Sequence, residues 1–337
     1  MINNGPASST VDPVGDSTGT WLVQIFNNDN ILINQDFSIW QKEETFTNPA
    51  NGDYTADGYV IVSNAGGGAL PTINVKKNTT DMETGFEQCM ELEITNVGSA
   101  GATRSWAYCQ RVEDYKKYRG KTVTNSFRIK SSEAITLSGG RLQVYDGVDV
   151  AYDVVTSITT DWTTYSATLS VAANASQLVS HFYLIPGTTG TISTTGSIYI
   201  QWMKLELSPG FTGPPIPRSE GEELALCQRR RQKSYAIGEY PGDATSSGPT
   251  QVSLLPHSNA DYSMILTERL ITRMAGIPTV TIYDMLGNPG KVKMAAGNNI
   301  TGTVADITDS NFRVEATNGA VSTSRELRFH FFAEYDL

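Results

Sequence analysis

Apolar and polar side chains alternate in a long series of short runs between residue 30 and about residue 208, and turn residues end each run. The runs fall at 31–33, 59–62, 73–75, 89–94, 106–111, 122–129, 141–145, 164–171, 178–185 and 197–207, with Asn-Gly, Gly-Gly-Gly, Asp-Gly and Ser-Gly-Gly breaks among them. A period of two sends successive side chains to opposite faces of an extended strand, and many brief strands at this spacing predict antiparallel sheets packed face to face. In the run 198–207 strict alternation puts Ile198, Ile200 and Trp202 on one face and Tyr199, Met203, Leu205 and Leu207 on the other. Both faces are partly apolar, so a central strand is predicted there.

The pattern resumes at 251–255, 262–274, 279–283, 291–294, 300–307, 312–316 and 327–335. Within 325–335, Leu327, Phe329, Phe331 and Ala333 alternate with Glu326, Arg328, His330 and Phe332, which predicts a half-buried strand belonging to a second core. Between the two regions, residues 208–217 hold four prolines and can form neither helix nor ladder, so an extended linker is expected. A short helix should follow. Ser219 with Glu222 three residues on makes a capping box, and Glu220 and Glu223 place negative charge in the first turn. Arg229, Arg230, Arg231 and Lys233 then stand at the C-terminal end, where they complement the helix dipole from a solvated face, and Gly238 is a stop.

The expected fold class is therefore all-β: two antiparallel β-sandwiches, at 30–208 and 240–337, joined by a Pro-rich linker and one short α-helix at 209–239. Ahead of them, residues 1–29 are expected to be extended. The first 20 residues have almost no apolar content and need a partner to be fixed, while 21–26 form the first apolar run.

With 337 residues and 39% hydrophobic content the chain is long enough for two cores. A formal charge of -10 gives a field that repels phosphate backbones and anionic lipid heads, so nucleic acid and membrane surface are not the expected partners. Cys89, Cys109 and Cys227 are odd in number and widely spaced, which predicts buried free thiols rather than disulfides or a zinc site. The opening MINNGPASST lacks a basic stretch followed by an apolar one, so synthesis without a secretion signal is expected.

Sugar binding needs aromatic rings to stack on pyranose faces beside polar groups that bind hydroxyls. The sequence juxtaposes such groups at Tyr54 and Asp57, at Tyr108 and Arg111, and at Tyr145, Asp146 and Asp149, which are the candidate glycan contacts. Trp40, Trp106, Trp162 and Trp202 are expected to be core residues instead. No catalytic residue is assigned. The 35 acidic residues isolate no facing pair, and His181, His257 and His330 belong to no nucleophile or metal motif.

Several segments together resemble a family of phage tail-fibre and receptor-binding proteins whose first part is similar to the carbohydrate-binding jelly rolls found beside glycoside hydrolases. The opening motif is NILINQDFSIWQ at 30–41 and the second is YTADGY at 54–59. The pattern departs at Gln35, where the family has Gly, and at Gly58 and Tyr59, where it has a basic residue and Trp. YRGKTVT at 118–124, DWTTY at 161–165, PRS at 217–219 with EELALCQR at 222–229, RMAGIPTVT at 273–281 and FFAEYDL at 331–337 follow in the family's order.

This resemblance implies a homotrimeric appendage located on the virion, attached to other virion proteins through 1–29 and binding a host surface glycan. It implies no cofactor but leaves open a structural calcium, with Asp36 as candidate ligand although Gln201 stands where a late-strand Asp would be. Two other readings compete: a purely structural head fibre, decoration or tail connector, and an enzyme such as a capsule depolymerase or esterase.

Overall fold

The computed structural model describes residues 30–187, 190–207, 213–254, 262–294, 299–318 and 325–336. The expected attachment segment 1–29, residues 208–212 of the expected linker and His257 lie outside the described residues. All named strand pairings are antiparallel, as alternation predicted. In the first body a six-stranded sheet runs Thr45–Phe46, Thr72–Asn78, Cys89–Asn96, Gly196–Leu207, Thr122–Ser131, Thr163–Ser170. Facing it is a five-stranded sheet ordered Tyr59–Asn64, Ser105–Arg111, Val179–Pro186, Arg141–Tyr145, Val150–Val154. One apolar cluster joins their inner faces, with Val75, Leu92, Phe127 and Ile129 from the first sheet and Ile61, Tyr108, Leu142, Val144 and Phe182 from the second. Such burial drives the assembly, because each large apolar side chain removed from water contributes roughly 1.5–3 kcal/mol.

The strand Gly196–Leu207 is central, lying between Cys89–Asn96 and Thr122–Ser131, but its faces differ from strict alternation. The register shifts between Ile200 and Trp202, so Ile198, Ile200, Met203 and Leu205 share the core side. Gln201 is the extra residue of this bulge, and an unpaired position that bends a strand is its usual consequence. Its amide is put to use: Oε1 accepts from Glu83 N at 2.7 Å and Nε2 donates to Gln88 O at 2.7 Å.

The opening segment has little strand and is held by side chains instead. Asn34, at φ 51°, donates through Nδ2 to the carbonyls of Ile39 and Asp57 at 2.8 and 3.1 Å and accepts from Ile39 N at 2.9 Å. Onto this segment packs the stretch that follows the first body. Gln35 Nε2 donates to Ile216 O at 2.8 Å, and Arg218 donates to the carbonyls of Leu32 and Asn30 and to Glu223. The described part of the proline-rich segment therefore hugs the first body.

The helix spans Glu220–Cys227 with the capping box the sequence predicts: Ser219 Oγ accepts from Glu222 N at 3.3 Å and Glu222 Oε2 accepts from Ser219 N at 3.0 Å. It stops before the arginines, and no basic residue lies in its last turn. The helix-end reading of the arginine run is thus corrected. Arg231–Lys233 is a strand paired with Phe332–Glu334 register partners, and Arg230 and Arg231 are 3% and 1% exposed. Tertiary pairing overrides helix propensity here, as it commonly does.

The second body is a sheet of eight strands in which the long strand Arg325–Glu334 is the organiser. Its residues 330–334 pair with Thr279–Tyr283, its residues 325–329 pair with Thr250–Leu254, and Lys291–Met294 also joins it. Leu327, Phe329, Phe331 and Ala333 are buried in one cluster with Ile282, Val292, Phe312 and Val314, the face that alternation assigned to a core. The opposite face is covered near its end as well: His330 is fully buried and its ring stacks on Tyr235 with centroids 4.1 Å apart.

Three consecutive arginines fasten the bodies together. Arg229 and Arg230 bracket Glu113, with Arg229 Nε to Oε2 at 3.1 Å and Arg230 Nε to Oε1 at 3.0 Å. Arg230 also donates to Gly58 O at 3.1 Å and Arg111 O at 2.6 Å. Arg231 donates to Thr55 O at 2.8 Å, lies 3.6 Å from Asp57 and reaches Glu334 of the second body at 3.0 Å through Nε. Burial raises the Asp57 pKa while Arg231 and the Gln41 hydrogen bonds oppose that rise. Replacing Arg231 by Ala, which leaves Asp57 buried without this cation, is expected to lower the unfolding free energy by about 3–5 kcal/mol in urea denaturation. Adding Asp57→Asn should recover part of the loss, and an unchanged midpoint in the single variant would refute the clamp.

Candidate functional site

Because Leu142, Val144, Phe182, Trp106, Tyr108 and Ile61 fill the core, the alternate positions of the five-stranded sheet face away from it. Register then places these residues in rows across the strands. One row runs Val60, Cys109, His181, Gln143, Tyr152, and the row beside it runs Val62, Ala107, Tyr183, Arg141, Val154. A third row brings together Arg111, Val179, Tyr145 and Val150. The Val60 end of this outer face is apolar and packs with Tyr54, Cys109 and Val179, whereas the other end is polar and aromatic.

At that polar end the Arg141 guanidinium lies between two rings, 5.1 Å from the Tyr152 centroid and 5.2 Å from the Tyr183 centroid. Cation–π contact of this kind holds the side chain without an ion pair. Tyr183 in turn stacks on His181, with centroids 5.1 Å apart. His181 and Gln143 form the floor at 7% and 5% exposure, and Tyr152 stands 53% exposed on the edge strand. Three atoms of this patch, His181 Nδ1, Gln143 Oε1 and Arg141 Nε, are buried without a hydrogen-bond partner. Buried polar atoms are ordinarily paired, and each one left unpaired costs about 1–3 kcal/mol, so three of them together on one face stand out.

Two acidic groups near the face, Asp146 and Asp153, are committed elsewhere. Asp146 accepts from three backbone N–H groups, Val148 at 2.8 Å, Asp149 at 2.6 Å and Ala172 at 2.7 Å, and thereby shapes the hairpin joining Arg141–Tyr145 to Val150–Val154. Asp153 accepts from Ser166 N at 3.3 Å on the inward side of its strand. The patch offers stacking surfaces, amide and guanidinium groups, and a neutral imidazole. Burial, reinforced by Arg111 and Arg141, lowers the His181 pKa from 6.5 to about 3.

The candidate contacts predicted from sequence divide accordingly. Arg111, Tyr145 and Asp149 lie at one end of the outer face, and both Arg111 and Asp149 are exposed. Tyr54, Asp57, Tyr108 and Asp146 are at most 5% exposed, with no surface on which a sugar ring could stack. Tyr108 stacks on Tyr59 in the core, and Asp57 belongs to the arginine clamp. Arg141, Gln143, Tyr152, His181 and Tyr183 are not among the contacts expected from sequence, although the alternation of polar residues in 141–145 marks one outward row. Trp40, Trp106 and Trp202 are core residues as expected, while Trp162 is half-buried beneath Lys130 at 5.1 Å.

Two further features bear on ligands. Asp36 accepts from Ser38 N at 3.3 Å, and no group of three or more potential metal ligands from His, Cys, Asp or Glu occurs among the described residues. The nearby carbonyls of Asn30 and Leu32 and the Glu223 carboxylate take the Arg218 guanidinium as their cation. A cleft of about 290 Å³ lies at the junction, lined in part by Trp40, Glu44, Lys77, Lys233, Tyr235 and Tyr240, and internal contacts such as Lys77 to Glu44 at 2.8 Å occupy its charges.

No family model and no curated protein matches the sequence. Solved structures match parts of it. The enzymatically active domain of tailspike protein 4 of bacteriophage CBA120 is 14% identical, with a TM-score of 0.33 over 48% of this chain and 21% of that one. A CBM22-1 xylan-binding domain from Paenibacillus barcinonensis is 14% identical, with a TM-score of 0.32 over 54% of this chain and 97% of that one. A cyclase from Fischerella sp. TAU is 15% identical, with a TM-score of 0.38 over 54% of this chain and 99% of that one. Likeness at this level carries no function across, and the outer face has to be judged by its own chemistry.

His181 offers such a test. Between pH 6.5 and about 3 the unfolded chain takes up a proton at this residue that the folded chain refuses, so its contribution makes stability fall as pH drops through that window. His181→Gln is expected to lose less stability than the parent between those limits, measured by denaturation at successive pH values. Parallel slopes would show that the imidazole is not held neutral by its surroundings.

Proposed function

We propose that the chain is a non-enzymatic phage virion appendage protein, a tail fibre or receptor-binding protein, that attaches to a host surface glycan through the outer face of the five-stranded sheet. The observation that carries the binding half of this reading is the patch of Tyr152, Tyr183, Arg141, Gln143 and His181, where exposed ring and unpaired polar atoms meet. Aromatic faces stack on the C–H surfaces of pyranose rings while amide, imidazole and guanidinium groups take hydroxyls, so one patch supplies both halves of sugar recognition. The virion half rests on the order of motifs from 30 to 337, and trimerisation with virion attachment through 1–29 belongs to the same proposal. Three copies would turn weak single contacts into useful avidity.

The absence of catalysis is likewise a proposal, supported by what the patch provides. A glycoside hydrolase needs two carboxyl groups across the scissile bond, and here Asp146 and Asp153 are engaged by backbone N–H groups. A purely structural connector would need no unpaired polar atoms on an open sheet face, which is why attachment is preferred.

Binding of the purified chain to host cells or a glycan array is expected, and Tyr152→Ala should weaken it about tenfold or more with an unchanged melting temperature. Parent protein that reproducibly fails to bind would favour the connector. Release of reducing ends from host polysaccharide would favour an enzyme.

A further inference from the structure

The charge of the outer face narrows the class of glycan. The chain as a whole is acidic at -10, yet the polar end of this face carries Arg141, and Arg111 stands on a strand nearer the Val60 end. Arg128, Arg218, Arg230, Arg231 and Arg313 each hold a carboxylate. Arg141 differs: it is in none of the ion pairs among the described residues and is held only by the Tyr152 and Tyr183 rings. The acids nearest to it in sequence do not neutralise it, since Asp146 is buried against three N–H groups and Asp153 faces inward to Ser166. Asp149 is exposed at the far end of the hairpin, near the row of Tyr145 and Val150.

The unpaired atoms cluster at the same point. Of the eight buried side-chain polar atoms without a hydrogen-bond partner among the described residues, three belong to Arg141, Gln143 and His181. Gln143 and His181 are direct cross-strand partners, and Arg141 lies one position further along the same face of the strand. Gln143 Oε1 accepts only, neutral His181 has one donor and one acceptor nitrogen, and the guanidinium donates only. Together they match a sugar that carries a carboxylate next to hydroxyls. The planar fork of a guanidinium pairs with a carboxylate through two parallel hydrogen bonds, and a group flanked by aromatic rings is already oriented for it. Burial is the main reason His181 resists protonation, and Arg111 and Arg141 add to it.

Resting on the glycan-binding reading above, we propose that this face recognises an acidic glycan, with Arg141 binding the carboxylate of a uronic or nonulosonic acid residue and Gln143 and His181 binding adjacent hydroxyls. The three atoms are sealed from water in the free protein. Tyr152, whose ring lies against Arg141 and is more than half exposed on the edge strand, would have to shift for the sugar to reach them. Arg141, Gln143 and His181 thus hold polar capacity in reserve that only the ligand satisfies, which favours a carboxylated sugar over a neutral one of the same shape.

The experiment titrates the full chain with oligomers of galacturonate, glucuronate and sialic acid, each alongside its carboxyl-reduced neutral counterpart, by isothermal calorimetry. At least one acidic oligomer should bind, and carboxyl reduction should weaken it about tenfold or more. Arg141→Gln should erase that preference and Arg141→Lys should retain part of it, with thermal melts confirming that both variants fold. Equal binding of acidic and neutral members, abolished by Tyr152→Ala, would overturn the acidic assignment and leave the glycan reading intact. A preference that persists in Arg141→Gln would place carboxylate recognition elsewhere and also overturn it. Binding of no oligomer in either series, together with no retention on host cells, would remove both.

Discussion

A cation taken out of water must find its charge and hydrogen-bond partners inside the protein, and the junction of this molecule is built around that requirement. Arg230 and Arg231 are almost wholly buried, and their donors are distributed over Gly58 O, Arg111 O, Thr55 O, Glu113, Asp57 and Glu334. These partners come from both bodies, so the requirement can be met only when the two are docked. It also explains the local structure: the helix ends at Cys227 and the chain turns into a strand, because a continued helix would carry the guanidinium groups away from their acceptors. Through Arg111 O the same network grips the end of a strand that supplies the outer face, and that face is thereby fixed relative to the second body.

Much of the fold was legible in the sequence because side-chain alternation is a direct consequence of strand geometry. The strands at 59–64, 89–96, 105–111, 122–131 and 325–334 lie where alternation put them, and the capping box at Ser219 formed as its spacing predicts. Cys89, Cys109 and Cys227 are free and buried, which an odd and scattered set implies. The arginine run was not legible. Charge in sequence gives no information about partners more than a hundred residues away, such as Glu113 and Glu334, and without them a solvated helix end is the natural assumption.

The candidate site was half legible for a related reason. Within one strand the polar row Arg141, Gln143, Tyr145 can be seen, but its neighbours cannot, since the strand Val179–Pro186 inserts between Ser105–Arg111 and Arg141–Tyr145. His181 and Tyr183 therefore arrive beside Gln143 and Arg141 from a distant part of the chain. Tyr54, Asp57 and Tyr108 show the converse. Aromatic and acidic residues adjacent in sequence look like a sugar site, yet the same pairing serves an interior in which rings stack and a carboxylate faces a buried arginine.

The bulge at Gln201 governs how this chain can vary in length. One extra residue in the middle of a central strand keeps Ile198 and Ile200 on the same side as Met203 and Leu205. Loss of Gln201 itself would join the two halves as one plainly alternating strand with Ile198, Ile200, Met203 and Leu205 still on the core side, whereas loss of one residue elsewhere in the strand, with the bulge kept, would exchange core for exterior along one half. Substitutions along Gly196–Leu207 disturb one contact at a time, whereas an insertion or deletion away from the bulge rewrites a whole half-strand. Relatives of this chain should accordingly differ in residue type along this segment, and in its count at the bulge alone.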